Sequence, residues 1–195
     1  MPNWCSNTLM LEHADPAQIE RAVNAYKRGE LLNEFCPCPA ELREADAKLK
    51  AFANAEVKSD NMTKFGYESW YDWSIAHWGT KWDVGSDHGP EDYKPGDTEV
   101  FLYFDSAWAP PIAGMEQLES AGFNVELYYW EPGMAFCGKY ESGSGDQHID
   151  YSQMTSEQAA EAIPEDVNEV FDIVNSLYEY EQATKDMNHD SDGSN

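Results

Sequence analysis

The chain has 195 residues, of which 37 are acidic and 12 basic, for a formal charge of -25. A surface that negative repels phosphate backbones and anionic headgroups, which argues against unaided binding of nucleic acid or membrane. With 42% hydrophobic and 13% aromatic residues, a wholly solvated coil is excluded, and the length suits one domain with an appendage.

In chain order, Trp4–Leu11 mixes apolar and β-branched residues and reads as a strand. Asp15 is a helix N-cap followed by Pro16 at the first helical position, with Ile19, Ala22, Val23 and Tyr26 at helical spacing and Gly29 as the stop. After the stiff connector Phe35–Pro39, the spacing of Leu42, Ala45, Leu49 and Phe52 predicts a second amphipathic helix carrying Arg43, Lys48 and Lys50. Phe65–Val84 is the densest aromatic stretch. It predicts a helix apolar nearly all round, ended by Gly79, then a short strand at Lys81–Val84. Asp87–Gly96 is a polar loop, and Glu99–Ser106 a strand with both faces covered. A helix with Met115 and Leu118 ends at Gly122. Phe123–Tyr129 and Ala135–Tyr140 are strands joined by a type II turn at Glu131–Met134. The sequence Glu141–Gly145 reads as a linker. Thr155–Gln158 is a capping-box pattern, Pro164 starts a new turn or kinks the helix, and an apolar stripe from Val167 to Tyr178 must dock on the body or on a second copy. Strands and helices in this order predict split βαβ units in an antiparallel sheet with helices on one face.

The charge is a gradient. Residues 1–60 carry 10 acids and 7 bases, 61–140 carry 13 and 4, and 141–195 carry 14 acids and one base, Lys185. The opening residues lack a basic n-region and an apolar h-region, and no apolar run reaches a membrane span, so a soluble cytoplasmic protein is expected. The four cysteines, Cys5, Cys36, Cys38 and Cys137, are too few and irregular for a disulfide scaffold. Zinc would need Cys36, Cys38, Cys137 and a histidine to converge in an unusual spacing; buried thiols and no cofactor or metal are the expectation. The Asp190–Asp192 stretch opens like a calcium loop, but the later ligands do not follow.

Four separated stretches, MPNWCSNTL, HWGTKWD (His77–Asp83), DSAWAPP (Asp105–Pro111) and EPGMAFCG (Glu131–Gly138), resemble the YubB-like, or Api92-like, ferredoxin-fold proteins of phages and plasmids. The resemblance spans roughly Met1 to Gly138 and supplies no catalytic residues. It implies a ferredoxin-like fold, so the expectation is α+β, a ferredoxin-like antiparallel sheet with helices on one face and a helical insertion, followed by an acidic C-terminal helical extension that lies outside the resemblance. The name refers to topology; no cluster-binding cysteine run is present, so no iron–sulfur centre is implied. It also implies a mobile-element origin, for which host interaction and counter-defence are natural roles. The expected division is a ferredoxin-like domain over 1–148, the acidic extension over 149–185 and a disordered tail over 186–195.

Three sets of residues are candidates for function. Glu157, Glu161, Glu165 and Glu169 recur every four residues, with Asp166 and Asp172 alongside, so one continuous helix would set carboxylates ~6 Å apart along an edge, near a phosphate spacing. Such an array fits a basic nucleic-acid-binding groove on a host protein, such as a restriction or CRISPR effector. The bland readings are a solvated helix face and, less well, halophilic adaptation. Second, Trp70, Trp73, His77, Trp78, Lys81, Trp82, Asp83 and Trp108 are either a ligand pocket or plain core, with Lys81 placed for a cation–π contact between Trp78 and Trp82. His77, Asp83 and His88 could act as metal ligands or as acid and base only if they converge. Third, Val167, Val170, Phe171, Val174 and Leu177 could join two copies, in a structural or assembly role. The leading expectation is a non-enzymatic, DNA-mimic-like interaction protein. No GxSxG, HExxH, P-loop or GxGxxG pattern argues for an enzyme.

Overall fold

The computed structural model describes residues 3–47 and 55–192, with side chains over 3–44 and 56–185. Five strands, β1 (Trp4–Glu12), β2 (Glu99–Ala107), β3 (Asn124–Glu131), β4 (Phe136–Glu141) and β5 (Gly145–Asp150), form one sheet in the order β2-β1-β3-β4-β5, each neighbouring pair antiparallel. Between β1 and β2 lie α1 (Pro16–Lys27), α2 (Leu31–Phe35), α3 (Ala40–Ala47), α4 (Ala55–Phe65) and α5 (Trp70–Trp78). Helix α6 (Ile112–Ser120) joins β2 to β3. After β5 come α7 (Ser156–Ala162), α8 (Glu165–Phe171) and α9 (Ile173–Asp192). Because β2 and β3 both flank β1 antiparallel, they run parallel to each other, and with α6 they form a split βαβ unit.

Period-two alternation decides which residues meet which layer. In β1, Cys5, Asn7, Leu9 and Leu11 are buried, and in β3 Val125, Leu127 and Tyr129 share their face. On that face they pack with Ile19 and Val23 of α1, Leu31 and Leu32 of α2, Trp73 and Trp78 of α5, and Met115 and Leu118 of α6. Asp15 caps α1 by accepting the Ala17 N–H at 3.0 Å, and Ser69 caps α5. Glycines in the left-handed region, Gly29 and Gly79, follow α1 and α5 where the sequence sets its stops.

The second face of the sheet takes the C-terminal extension. Tyr128 and Trp130 of β3, Cys137 of β4 and Ile149 of β5 pack with Tyr151, Ala159, Ile163, Val167 and Ile173. The apolar stripe is therefore spent within the chain: Val167 is fully buried, Phe171, Val174 and Leu177 pack on the same cluster, and of the five only Val170 is exposed. Each buried aliphatic of this kind is worth about 2–5 kcal/mol against alanine. The Trp130 indole N–H donates to the Tyr151 hydroxyl at 2.6 Å, which satisfies both polar tips inside the layer.

The structure departs from the sequence expectations at several places. Lys81–Val84 is not a strand, because Asp83 turns its carboxylate to α2 and the Val84 carbonyl accepts the Leu31 N–H at 3.3 Å. Helix α5 is buried along one side only, with Ile75 exposed. Strand β2 lies at the sheet edge and has one covered face: Val100, Leu102 and Phe104 are buried, while Phe101 and Tyr103 are 46% and 62% exposed. The Glu131–Met134 turn is shaped by the nearly buried Glu131 carboxylate, which accepts the N–H groups of Gly133 and Met134. The left-handed residue there is Ala135, with φ 57°, and Gly133 has no positive φ. The stretch read as a linker, Glu141–Gly145, is a hairpin turn closed by the Ser144 N–H to Glu141 carbonyl bond. The sheet thus continues past residue 148 to Asp150. Helix α4 has no counterpart in the sequence reading. Of the helix expected from Leu42 onward, Leu42 is buried in α3, while Leu49 and Phe52, with Lys48 and Lys50, lie outside the described residues. The helical backbone of α9 runs on to Asp192, into the segment expected to be a disordered tail. Among the described residues no helix is long and apolar enough to cross a membrane.

Candidate functional site

The carboxylates expected to form one row are divided. Ile163 is extended and Pro164 has ψ 144°, so α7 ends before α8 begins, and the four-residue spacing does not run along one axis. Glu157 and Glu161 are exposed on α7; Glu165 and Glu169 are exposed on α8. Among the described residues none of these four side chains makes an ion pair or hydrogen bond. Asp172 sits in the left-handed region between α8 and α9 and accepts the Asn175 amide at 3.1 Å. Asp166 is half-exposed and turns toward β4, where it accepts the Lys139 ammonium at 3.0 Å and the Tyr128 hydroxyl at 3.4 Å. Burial pushes its carboxyl upward, but Lys139 and the Val167 N–H outweigh this and hold it below the usual carboxylate value. Asp166 is thus a strut between β4 and α8 rather than part of an outward array.

Bases are distributed differently. Arg21 and Lys27 lie on α1, Arg28 at its C-terminal cap, Arg43 on α3, and Lys58 and Lys64 on α4, all in the helical layer on the first face. Most meet a local acid: Arg21 and Arg28 both reach Glu34, at 2.7 and 3.0 Å, Lys58 meets Glu68 at 3.0 Å, and Lys64 meets Glu41 at 3.2 Å. Helices α7 and α8 contain no lysine or arginine.

The tryptophan set separates into core and surface. Trp73 and Trp78 are buried, edge-to-face at 5.5 Å, and the Trp78 indole N–H donates to the Cys36 carbonyl at 2.9 Å. Trp70, Trp78, Lys81, Trp82 and Asp83 line a hollow of about 490 Å³ together with Arg28 and Arg43. Trp108 lies outside this hollow and Trp73 is in the core, so the full set does not line one pocket. The Lys81 ammonium lies 4.5 Å from the Trp82 ring, 5.5 Å from Trp108 and 5.7 Å from Tyr71. The Trp78 ring instead takes the Arg43 guanidinium, at 5.7 Å. Trp4 stacks at a tilt on Trp82, 5.9 Å away, so three of the motifs behind the family resemblance converge at one end of the sheet. Trp4 and Tyr71 were missing from the sequence-derived set. Tyr71 joins through Lys81 and Trp4 through Trp82, contacts between segments far apart in the chain that no spacing marks.

His77, Asp83 and His88 have separate partners. His77 stacks on Trp73 at 4.4 Å, and His88 is exposed in the loop after α5. Asp83 accepts the N–H groups of Leu32, Asn33 and Val84 at 2.7, 2.9 and 2.8 Å. Burial raises its carboxyl above the usual value, against those three bonds and Arg43. Cys137 lies in the second-face cluster, away from Cys38 in the first, so Cys36, Cys38 and Cys137 do not meet. Among the described residues no group of three or more His, Cys, Asp or Glu side chains is placed to hold a metal ion.

No curated protein matches the chain. Among solved structures, a protein api92 from Yersinia pseudotuberculosis is similar over 77% of this chain and 98% of its own, at 12% identity and a TM-score of 0.36. The family model described as the ferredoxin-like domain in Api92-like protein matches residues 77–175, which takes in β2 through β5 together with α7 and α8. The chain therefore belongs to the family of Api92-like proteins with a ferredoxin-like domain.

Proposed function

We propose that this is a non-enzymatic interaction protein that docks, through the exposed carboxylates of α7 and α8, on a basic surface of another macromolecule, one built to hold a polyanion such as nucleic acid. The observation that carries the reading is where the bases lie. Glu157, Glu161, Glu165 and Glu169 stand exposed and without ion pairs on helices that hold no lysine or arginine, while Arg21, Arg28, Arg43, Lys58 and Lys64 belong to the layer on the other face. Such a field speeds encounter with a cationic surface and makes affinity fall steeply with salt. The break at Pro164 gives two short acidic helices in place of one straight rod. A counter-defence role, with a restriction or CRISPR effector as target, fits the same chemistry.

The test is capture of partners from a bacterial extract at low and high salt, with wild type and the variant Glu157→Gln/Glu161→Gln/Glu165→Gln/Glu169→Gln. A partner that binds wild type, is released by salt and by competing duplex DNA, and fails to bind the variant supports the reading. Equal capture by the variant overturns it.

A further inference from the structure

A cavity of about 800 Å³ lies between the edge strand β2 and the loop that precedes it. Ligand pockets commonly fall between about 300 and 1,000 Å³. Its chemistry is of two kinds. Phe101 and Tyr103 line it from the edge strand, and both rings are largely exposed although the alternate residues of β2 are core. Glu91, Asp92, Asp97 and Glu99 line it as well, and among the described residues none of the four makes an ion pair. Among the described residues no lysine or arginine lines the cavity. Two lysines lie close by: Lys27 lays its methylene stem over Gly89, and Lys94 belongs to the loop whose Asp97 accepts its N–H.

Aromatic faces beside carboxylates attract organic ammonium groups, by the ring quadrupole and by charge-assisted hydrogen bonds. The arrangement also discriminates among cations. The carboxylates are too dispersed to gather three on a single metal ion, so a ligand whose charges are spread along an apolar chain matches them better than a point charge does. Tyr93 lines the same space, and its buried hydroxyl has no hydrogen-bond partner among the described residues. The Tyr103 carbonyl accepts the Tyr26 hydroxyl at 2.5 Å, which fixes the strand edge on one side of the cavity. Asp97 accepts the Lys94 N–H at 2.8 Å, which fixes the loop on the other.

We propose that this cavity binds a linear polyamine, with its methylene segments over Phe101 and Tyr103 and its ammonium groups among Asp97, Glu99 and the loop carboxylates Glu91 and Asp92. The site is separate from the α7–α8 carboxylates and does not depend on their role. Calorimetric titration of the full chain with spermidine tests it. One saturable site is expected, weakened about tenfold by Asp97→Asn/Glu99→Gln, since a hydrogen bond to a charged group is worth about that factor. A comparable loss is expected from Phe101→Ala/Tyr103→Ala. Asparagine at 97 retains the oxygen that accepts the Lys94 N–H, so the turn stays closed. The pair Glu157→Gln/Glu161→Gln should leave binding unchanged, and magnesium chloride at equal ionic strength should give no such isotherm. Equal weakening by the α7 pair, a matching magnesium isotherm, or no heat from spermidine would each overturn the proposal.

Discussion

The Lys139 ammonium on β4 lies 3.0 Å from the Asp166 carboxylate on α8 and 3.3 Å from Glu126 on β3, so one mostly buried cation ties the C-terminal layer to two strands. Hydrogen bonding to Asp166 raises the lysine above its usual value despite burial, and the Asp166 carboxyl is held low. Asp166→Asn should therefore cost about 1 kcal/mol near neutral pH, a value set by its partly exposed rim position. A depressed carboxyl contributes stability above its unfolded value of about 3.9, and that contribution is lost as pH falls through the folded value. Urea midpoints of wild type and variant should differ at neutral pH and converge as the solution is acidified below about pH 4.

Asp83 supports two structural turns at once. Asp83→Ala strands the N–H groups of Leu32 and Asn33 at the start of α2 and should destabilise by about 1–3 kcal/mol in urea unfolding, with an unchanged slope. If Asp83 were a general acid or base instead, the substitution would leave the midpoint in place.

Gly138 has almost no room for a side chain. A Cβ there would meet the Tyr129 hydroxyl at 2.3 Å and the Gln147 carbonyl at 2.4 Å, and the second contact is backbone. Gly138→Ala should lower stability by about 1–3 kcal/mol or more, read as a shift in thermal midpoint. Gly143→Ala serves as the control: no atom crowds it, but its φ of 80° carries a penalty of about 1 kcal/mol.

Burial pushes the Cys5 and Cys137 thiols up to about 12, so neither is a useful thiolate at neutral pH. In the native protein an alkylating reagent at pH 8 should spare both and modify the partly exposed Cys36 first, as mapped by peptide mass. All four should react in urea. Rapid native labelling of Cys137 would mean that the C-terminal layer opens.

Where a physical signal was local, the sequence carried it. The cap at Asp15, the capping box at Thr155 and Gln158, and the glycine stops after α1, α5 and α6 all stand where their residue types place them. The antiparallel α+β class followed from the order of strands and helices along the chain. What did not show was the identity of each strand's neighbours. Phe101 and Tyr103 looked like residues covered on both faces, and only the position of β2 at the sheet edge leaves them open. Gly145–Asp150 has weak apolar alternation and became a strand because β4 offered it a free edge. The carboxylate row was legible as a spacing. Its division at Pro164 was legible too, since proline does not continue a helix, whereas the turn of Asp166 toward β4 depends on a tertiary partner, Lys139, 27 positions away. The cavity beside β2 joins a loop and a strand edge, and no periodicity marks such a junction.

Strands β3 and β4 serve as a party wall. Leu127 and Tyr129 face one cluster while Tyr128 and Trp130 face the other, and Tyr140 and Cys137 divide in the same way. The second cluster can come apart while the first stays intact, because α7, α8 and α9 rest on the wall and add no strand to it. The reverse does not hold: once the wall melts, nothing remains for the acidic helices to lean on. Opening is therefore ordered, with the C-terminal layer as the outer, separately cooperative unit and the amides of β3 and β4 as the last to exchange with solvent. A charged surface mounted on such a unit can be set in place or released at a cost below that of unfolding the whole molecule.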